Sequence, residues 1–191
     1  MKFVRYGAPG REKPGLVDAE GRLRDLSGQV AEIDESVFGP AGQKRLRKLD
    51  PASLPLVRGT PRLGVPYVGI SKFIAIGLNY RDHAAETNAK IPAEPVVFMK
   101  ATSCIQGPDD PVMLPKGSVK SDWEVELGVV IGRTARYLSQ FMVLRPGDLI
   151  NTGTPAGVAL GLPDHPYLRA GDVVELEISG LGAMRQTVGQ A

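Results

Sequence analysis

An acidic stripe runs through the strongest strand signal in the chain. Residues 122–132 read Asp-Trp-Glu-Val-Glu-Leu-Gly-Val-Val-Ile-Gly. Alternation puts Asp122, Glu124 and Glu126 on one face of a strand, with Trp123, Val125 and Leu127 on the other. Val125 and the apolar run from Leu127 to Ile131 demand burial, while unpaired carboxylates resist it. Something must balance the two glutamates. A hard divalent cation, Mg2+ or Mn2+, does so naturally, because it prefers carboxylate oxygens and side chains i and i+2 of a strand project into one site. On spacing alone, an exposed polar strand face is the commoner explanation of such a pattern.

The rest of the chain narrows the setting. With 191 residues and 42% hydrophobic content, it can bury one sizeable core, or one core plus a small appendage. Twenty-three basic residues against 21 acidic ones leave a charge of +2. The only basic cluster, Lys44 to Lys48, reads as a solvated helix face, so no nucleic-acid footprint is expected. Cys104 is the single cysteine, which excludes an intrachain disulfide and suits a reducing compartment. It is expected to be a small buried apolar side chain. Gly or charged residues interrupt every apolar stretch before membrane-spanning length, so a soluble, cytoplasmic protein is expected.

Residues 2–6 and 15–26 read as short strands, the latter hinged at Asp18-Ala-Glu-Gly21, and residues 40–49 read as a helix. Pro51, Pro55, Pro61 and Pro66 forbid regular structure up to about residue 68. This predicts a small β-rich N-terminal unit with its linker over 1–66 and a second domain over 67–191. In the second domain, Lys72 to Gly77 reads as a buried strand and Pro95 to Lys100 as a second apolar strand. A short helix between them is capped by Asn79. The Arg-x-Gly-Asp turns at 145–148 and 169–172 each lead into a strand, and residues 138–144 offer one further helix. Strands outnumber helices, which favours a mostly-β fold.

Two further groups could carry chemistry. His83 and Glu86 stand three apart on the predicted helix, where a carboxylate can orient an imidazole as a general base requires. An ordinary helix-surface pair has the same spacing. Thr152-Gly-Thr-Pro155 lies at a strand end, where glycine permits close approach and two hydroxyls can bind an anion, although a threonine-stabilised turn is the commoner use. His165, between Pro163 and Pro166, reads as a loop residue.

Four segments in order, Ile76 to Glu86, Pro95 to Lys100, Asp122 to Gly132 and Gly147 to Pro155, resemble the fumarylacetoacetate hydrolase family. The N-terminal segment looks most like its bacterial branch of diketo-deoxy-sugar-acid hydrolases, ureidoglycolate lyases and hydroxyheptadienedioate isomerase-like proteins. The resemblance implies a mixed β-sandwich roll and a homodimer acting on a small oxo-acid. It assigns Glu124 and Glu126 to a Mg2+ or Mn2+ site, His83 and Glu86 to a catalytic dyad, and Thr154 and Lys100 to the substrate pocket. It also implies that a block of the catalytic domain is absent between Tyr137 and Leu138. That block carries the third metal carboxylate in the family, together with a lysine and a glutamine that contact substrate. The implied activity is hydrolysis of a C–C bond in a 2,4-dioxo acid. The alternatives are isomerisation or decarboxylation of a hydroxymuconate-type acid, or a non-catalytic remnant.

Overall fold

The computed structural model describes residues 2–132 and 137–191. Arg133 to Arg136, on the N-terminal side of the Tyr137–Leu138 junction, lie outside the described residues. Two compact units emerge, each assembled from separated stretches of chain.

The first unit comprises Met1–Lys72, Ala101–Gly107 and Val130–Leu149. Strands β1 (Lys2–Tyr6), β2 (Lys13–Val17) and β3 (Leu23–Asp25) form an antiparallel sheet in that order, with Phe3 opposite Leu16 and Leu16 opposite Arg24. The β2–β3 turn is built on Asp18, whose carboxylate accepts the backbone N–H groups of Glu20 (3.1 Å) and Arg22 (2.8 Å). Helix α1 (Glu35–Phe38) starts at Asp34, whose side chain accepts the Ser36 N–H, and α2 (Pro40–Leu46) follows with proline in its first turn. Lys44, Arg45, Arg47 and Lys48 are all exposed, as a solvated face requires. The core joins Leu16, Leu26, Val30, Ile33, Val37, Leu46, Leu54 and Tyr67. The proline-rich stretch after α2 carries only a 3₁₀ turn at Pro51–Ser53 and two isolated bridges, yet Leu54 and Tyr67 from it are core residues. Proline removes ladder donors there without preventing burial.

The second unit comprises Phe73–Lys100, Pro108–Val129 and Ile150–Ala191. Its strands include β4 (Phe73–Gly77) and β5 (Val96–Lys100), paired antiparallel with Phe73 opposite Lys100. Helix α3 (Arg81–Glu86) connects them. With β7 (Gly128–Val130) and β8 (Leu149–Asn151) they form a four-stranded sheet in the order β5-β4-β8-β7. A second sheet has the order β6-β10-β9, from Val112–Leu114, Gly182–Gln190 and Val173–Ile178. In it β10 runs parallel to β6 and antiparallel to β9. The mostly-β expectation, with mixed strand pairing, is met. No helix among the described residues is long and apolar enough to cross a membrane.

Four local expectations are corrected. The strand expected over 122–132 is regular only at β7, because the Trp123 N–H goes to the Asp122 carboxylate and the Val125 N–H to the Thr154 hydroxyl, leaving no ladder to extend. The helix expected over 138–144 is a single 3₁₀ turn at Leu138–Gln140. Phe141 and Val143 are 66% and 76% exposed, so no buried apolar face supports propagation of that turn. Asn79 does not cap α3; Tyr80 holds the cap position, and the Asn79 amide donates to the Thr152 carbonyl at 2.8 Å. Cys104 is exposed, at the end of the 3₁₀ turn Thr102–Cys104.

Candidate active site

Every candidate residue falls in the second unit. On α3, His83 Nδ1 lies 2.8 Å from Glu86 Oε1, and the two side chains are largely shielded, at 15% and 14% exposure. An ionised carboxylate can only accept, so Nδ1 carries a proton, and in the neutral ring the lone pair is then on Nε2. The other Glu86 oxygen accepts the Gly157 N–H at 2.9 Å. Burial pushes the Glu86 carboxyl up, but the hydrogen bonds from His83 and the Gly157 backbone outweigh it and hold the group below its usual range.

The glutamate pair converges although its segment is not a regular strand. Lys100, at the end of β5, places its ammonium 3.9 Å from Glu124 Oε2 and 3.8 Å from Glu126 Oε1. Glu126 is 10% exposed and Glu124 48%. Partial burial pushes the Glu124 carboxyl up, the Lys100 charge opposes that, and the neighbouring Glu126 adds to it. A protonated His83 also favours the ionised form of Glu124. Asp122 does not join them. Its carboxylate turns to backbone, accepting the N–H groups of Trp123, Ala159 (2.7 Å) and Leu160 (2.9 Å).

One loop, residues 152–161, braces all of these groups. The Gly153 N–H donates to Glu126 Oε2 at 2.7 Å, and the buried Thr154 hydroxyl accepts the Val125 N–H at 3.2 Å. The Trp123 indole donates to the Gly157 carbonyl at 3.0 Å, so one residue, Gly157, holds both Trp123 and Glu86. Gly153 has φ +92°, and a Cβ there would stand 2.9 Å from the Ile76 carbonyl oxygen. The expected role of glycine in the Thr-Gly-Thr-Pro turn, close approach, is therefore directed at the protein's own backbone. His165 sits in a loop with φ +42°, its ring stacked on Tyr167.

Sequence spacing pointed to His83, Glu86, Glu124 and Glu126. It missed Lys100 as the cation facing both glutamates, Asp122 as a clamp and Gly157 as a brace. The last two act through backbone groups, which leave no residue signature. Among the described residues no cluster of three or more His, Cys, Asp or Glu side chains could hold a metal ion. Glu124 and Glu126 nevertheless present one oxygen each to a single cation, which fits an ion such as Mg2+ that keeps most of its ligands as water or substrate.

Comparison with known proteins gives this arrangement its class. A Burkholderia multivorans protein, named provisionally as a hydrolase, is 40% identical over 276 aligned residues covering 97% of this chain and 98% of its own length. Among solved structures, maleylpyruvate hydrolase from Sphingobium sp. SYK-6, in complex with manganese(II) and pyruvate, shares the fold over 100% of this chain and 99% of its own, with TM-score 0.76 and 19% identity. The 5-carboxymethyl-2-hydroxymuconate delta-isomerase from Mycobacterium smegmatis does so over the same shares, with TM-score 0.67 and 20% identity. Those names describe one provisional hydrolase, one hydrolase and one isomerase, and the manganese belongs to the Sphingobium structure. The fumarylacetoacetate (FAA) hydrolase C-terminal model matches residues 72–138 and 134–189, and the chain belongs to this family.

The alignment with the Burkholderia protein runs over 276 positions, and the chain has 191 residues. The two family-model segments meet at residues 134–138, next to the Tyr137–Leu138 junction.

Proposed function

We propose that the chain is a Mg2+- or Mn2+-dependent hydrolase that cleaves a C–C bond in a small 2,4-dioxo acid of the acylpyruvate type. The observation that carries this reading is that one loop braces both the His83–Glu86 dyad and the glutamate pair, the Gly157 N–H on Glu86 and the Gly153 N–H on Glu126. Glu124 and Glu126 are the residues that hold the ion. When bound, the cation supplies positive charge for the 2-oxo-acid end of the substrate and for the enolate oxygen that forms on cleavage.

The remaining steps belong to the chain's own groups. His83 Nε2 takes a proton from water, Nδ1–H stays on Glu86, and the ionised Glu86 stabilises the imidazolium that results. The hydroxide attacks the carbonyl distal to the acid, the C–C bond breaks, and His83 returns the proton to the departing carbon fragment. Glu86 is kept ionised for this task by the bonds that hold its carboxyl below the usual range. The test is turnover of an acylpyruvate by purified protein in Mn2+ and in chelator. Metal-dependent cleavage supports the reading, and cleavage that ignores chelator sinks the metal.

A second reading has its own support. The chain has 191 residues where its relative aligns over 276, and no third acidic ligand completes the pair among the described residues. On that reading the protein binds oxo-acid and metal without turnover. Isomerisation or decarboxylation of a hydroxymuconate-type acid uses the same enolate, and a panel of such substrates in the same assay separates the reactions.

A further inference from the structure

Lys100 is the only cation placed between Glu124 and Glu126 by the described ion pairs, and the way it is held is unusual for a structural partner. Both separations, 3.9 Å and 3.8 Å, are longer than a hydrogen bond, so charge alone retains it. Its ammonium also stands 5.9 Å from the centroid of the Phe73 ring, its partner across β4 and β5, and the side chain is 30% exposed. A four-carbon stem at a strand end can swing without moving backbone. Glu126, by contrast, is fixed independently of the lysine, because Gly153 donates to its other oxygen at 2.7 Å. The lysine can therefore leave while the carboxylate keeps its direction.

We infer that Lys100 is a displaceable internal counter-ion that occupies the cation position of the Glu124–Glu126 pair and competes with a divalent ion for it. The inference rests on the metal reading given above and adds to it a regulation of affinity by the chain itself. The physical reason is additive charge. Two carboxylates and one ammonium sum to −1, and a divalent ion that binds the pair meets the ammonium within a few ångströms, in a medium less polar than water. It must push the lysine aside or bind against it. With only two protein carboxylates contributing, this competition is a large fraction of the total affinity.

The test is Mn2+ binding to the 191-residue chain without substrate, followed by the loss of the free-ion electron paramagnetic resonance signal. Lys100→Met, with Lys100→Gln as a second variant in case the first folds poorly, should bind Mn2+ about tenfold more tightly than wild type. Lys100→Arg, which keeps the charge, should not gain affinity. Glu126→Gln should abolish the site in either background. If Lys100→Met and Lys100→Gln bind Mn2+ no more tightly than wild type, while Glu126→Gln still abolishes binding, the competitor role is overturned and the metal site stands. If neither wild type nor the lysine variants bind Mn2+ saturably, both readings fall.

Discussion

Each unit of the molecule contains a carboxylate held among cations, and the two differ in completeness. In the first unit Asp18 is 3% exposed at its side chain and accepts Arg24 Nε at 2.8 Å, Arg22 Nε at 2.9 Å and two backbone N–H groups. Burial works against its ionisation, but the backbone and guanidinium bonds win and bring its carboxyl down to about 2. In the second unit Glu124 is 48% exposed, has one cation among the described ion pairs, 3.9 Å away, and its carboxyl is pushed up rather than down. Closing every lone pair makes a carboxylate structural. Leaving one short of partners makes it a place where something can bind. The difference predicts opposite responses to substitution.

The largest effect expected is on turnover. His83→Ala should lower turnover of an acylpyruvate about a hundredfold or more while Mn2+ binding persists, because it removes the general base alone. A normal rate would show that the dyad is only a surface pair. Next comes Asp18→Asn, which leaves two guanidinium groups around a neutral amide. It should lower the melting temperature by several degrees, on the order expected for a broken ion cluster, without altering Mn2+ affinity. Because the folded Asp18 carboxyl titrates near 2, below its unfolded value, its stabilising contribution is complete above about pH 4. It fades as pH falls toward 2, so wild type and Asp18→Asn should converge there.

A smaller effect is expected from the ion. Mn2+ or Mg2+ at about ten times its dissociation constant should raise the melting temperature by a few degrees, and Glu126→Gln should remove most of the shift. Smallest of all is Glu124→Gln without metal. A carboxyl whose folded value is raised loses stability as pH rises through it, so neutralising Glu124 should raise the melting temperature at pH 7. Solvent screening keeps the gain to about one degree. The gain should vanish near pH 4, where the wild-type carboxyl is already protonated. A stabilisation that persists at pH 4 would contradict the open-site account of Glu124.

Apolar runs bounded by turns made β1 to β5 readable from sequence, and the Arg-x-Gly-Asp turns announced β8 and β9. Each turn is closed by its aspartate: Asp148 accepts the Arg145 N–H at 2.8 Å and Asp172 accepts the Arg169 N–H at 2.7 Å. Strand β10 was not readable. Gly182 to Gln190 alternates weakly, and the strand exists because β6 and β9 flank it on both sides. At the site, local spacing revealed each pair but not its surroundings. Lys100 lies 24 positions before Glu124, and only the antiparallel β4–β5 pairing brings it to Phe73. A third metal carboxylate entered only through the family resemblance, with its broken pattern at Tyr137–Leu138.

The bond between the Trp123 indole and the Gly157 carbonyl gives the site an optical signature. Trp123 is the chain's one tryptophan, so its emission arises from a single position beside Glu124, bonded to the loop that also holds Glu86 and Glu126. Indole fluorescence responds to the polarity and hydrogen bonding of its N–H. A shift in emission maximum as a ligand is titrated therefore reads the loop directly, without label or substrate. Any event that pulls Gly157 away from Glu86 should change the colour of the protein's own emission.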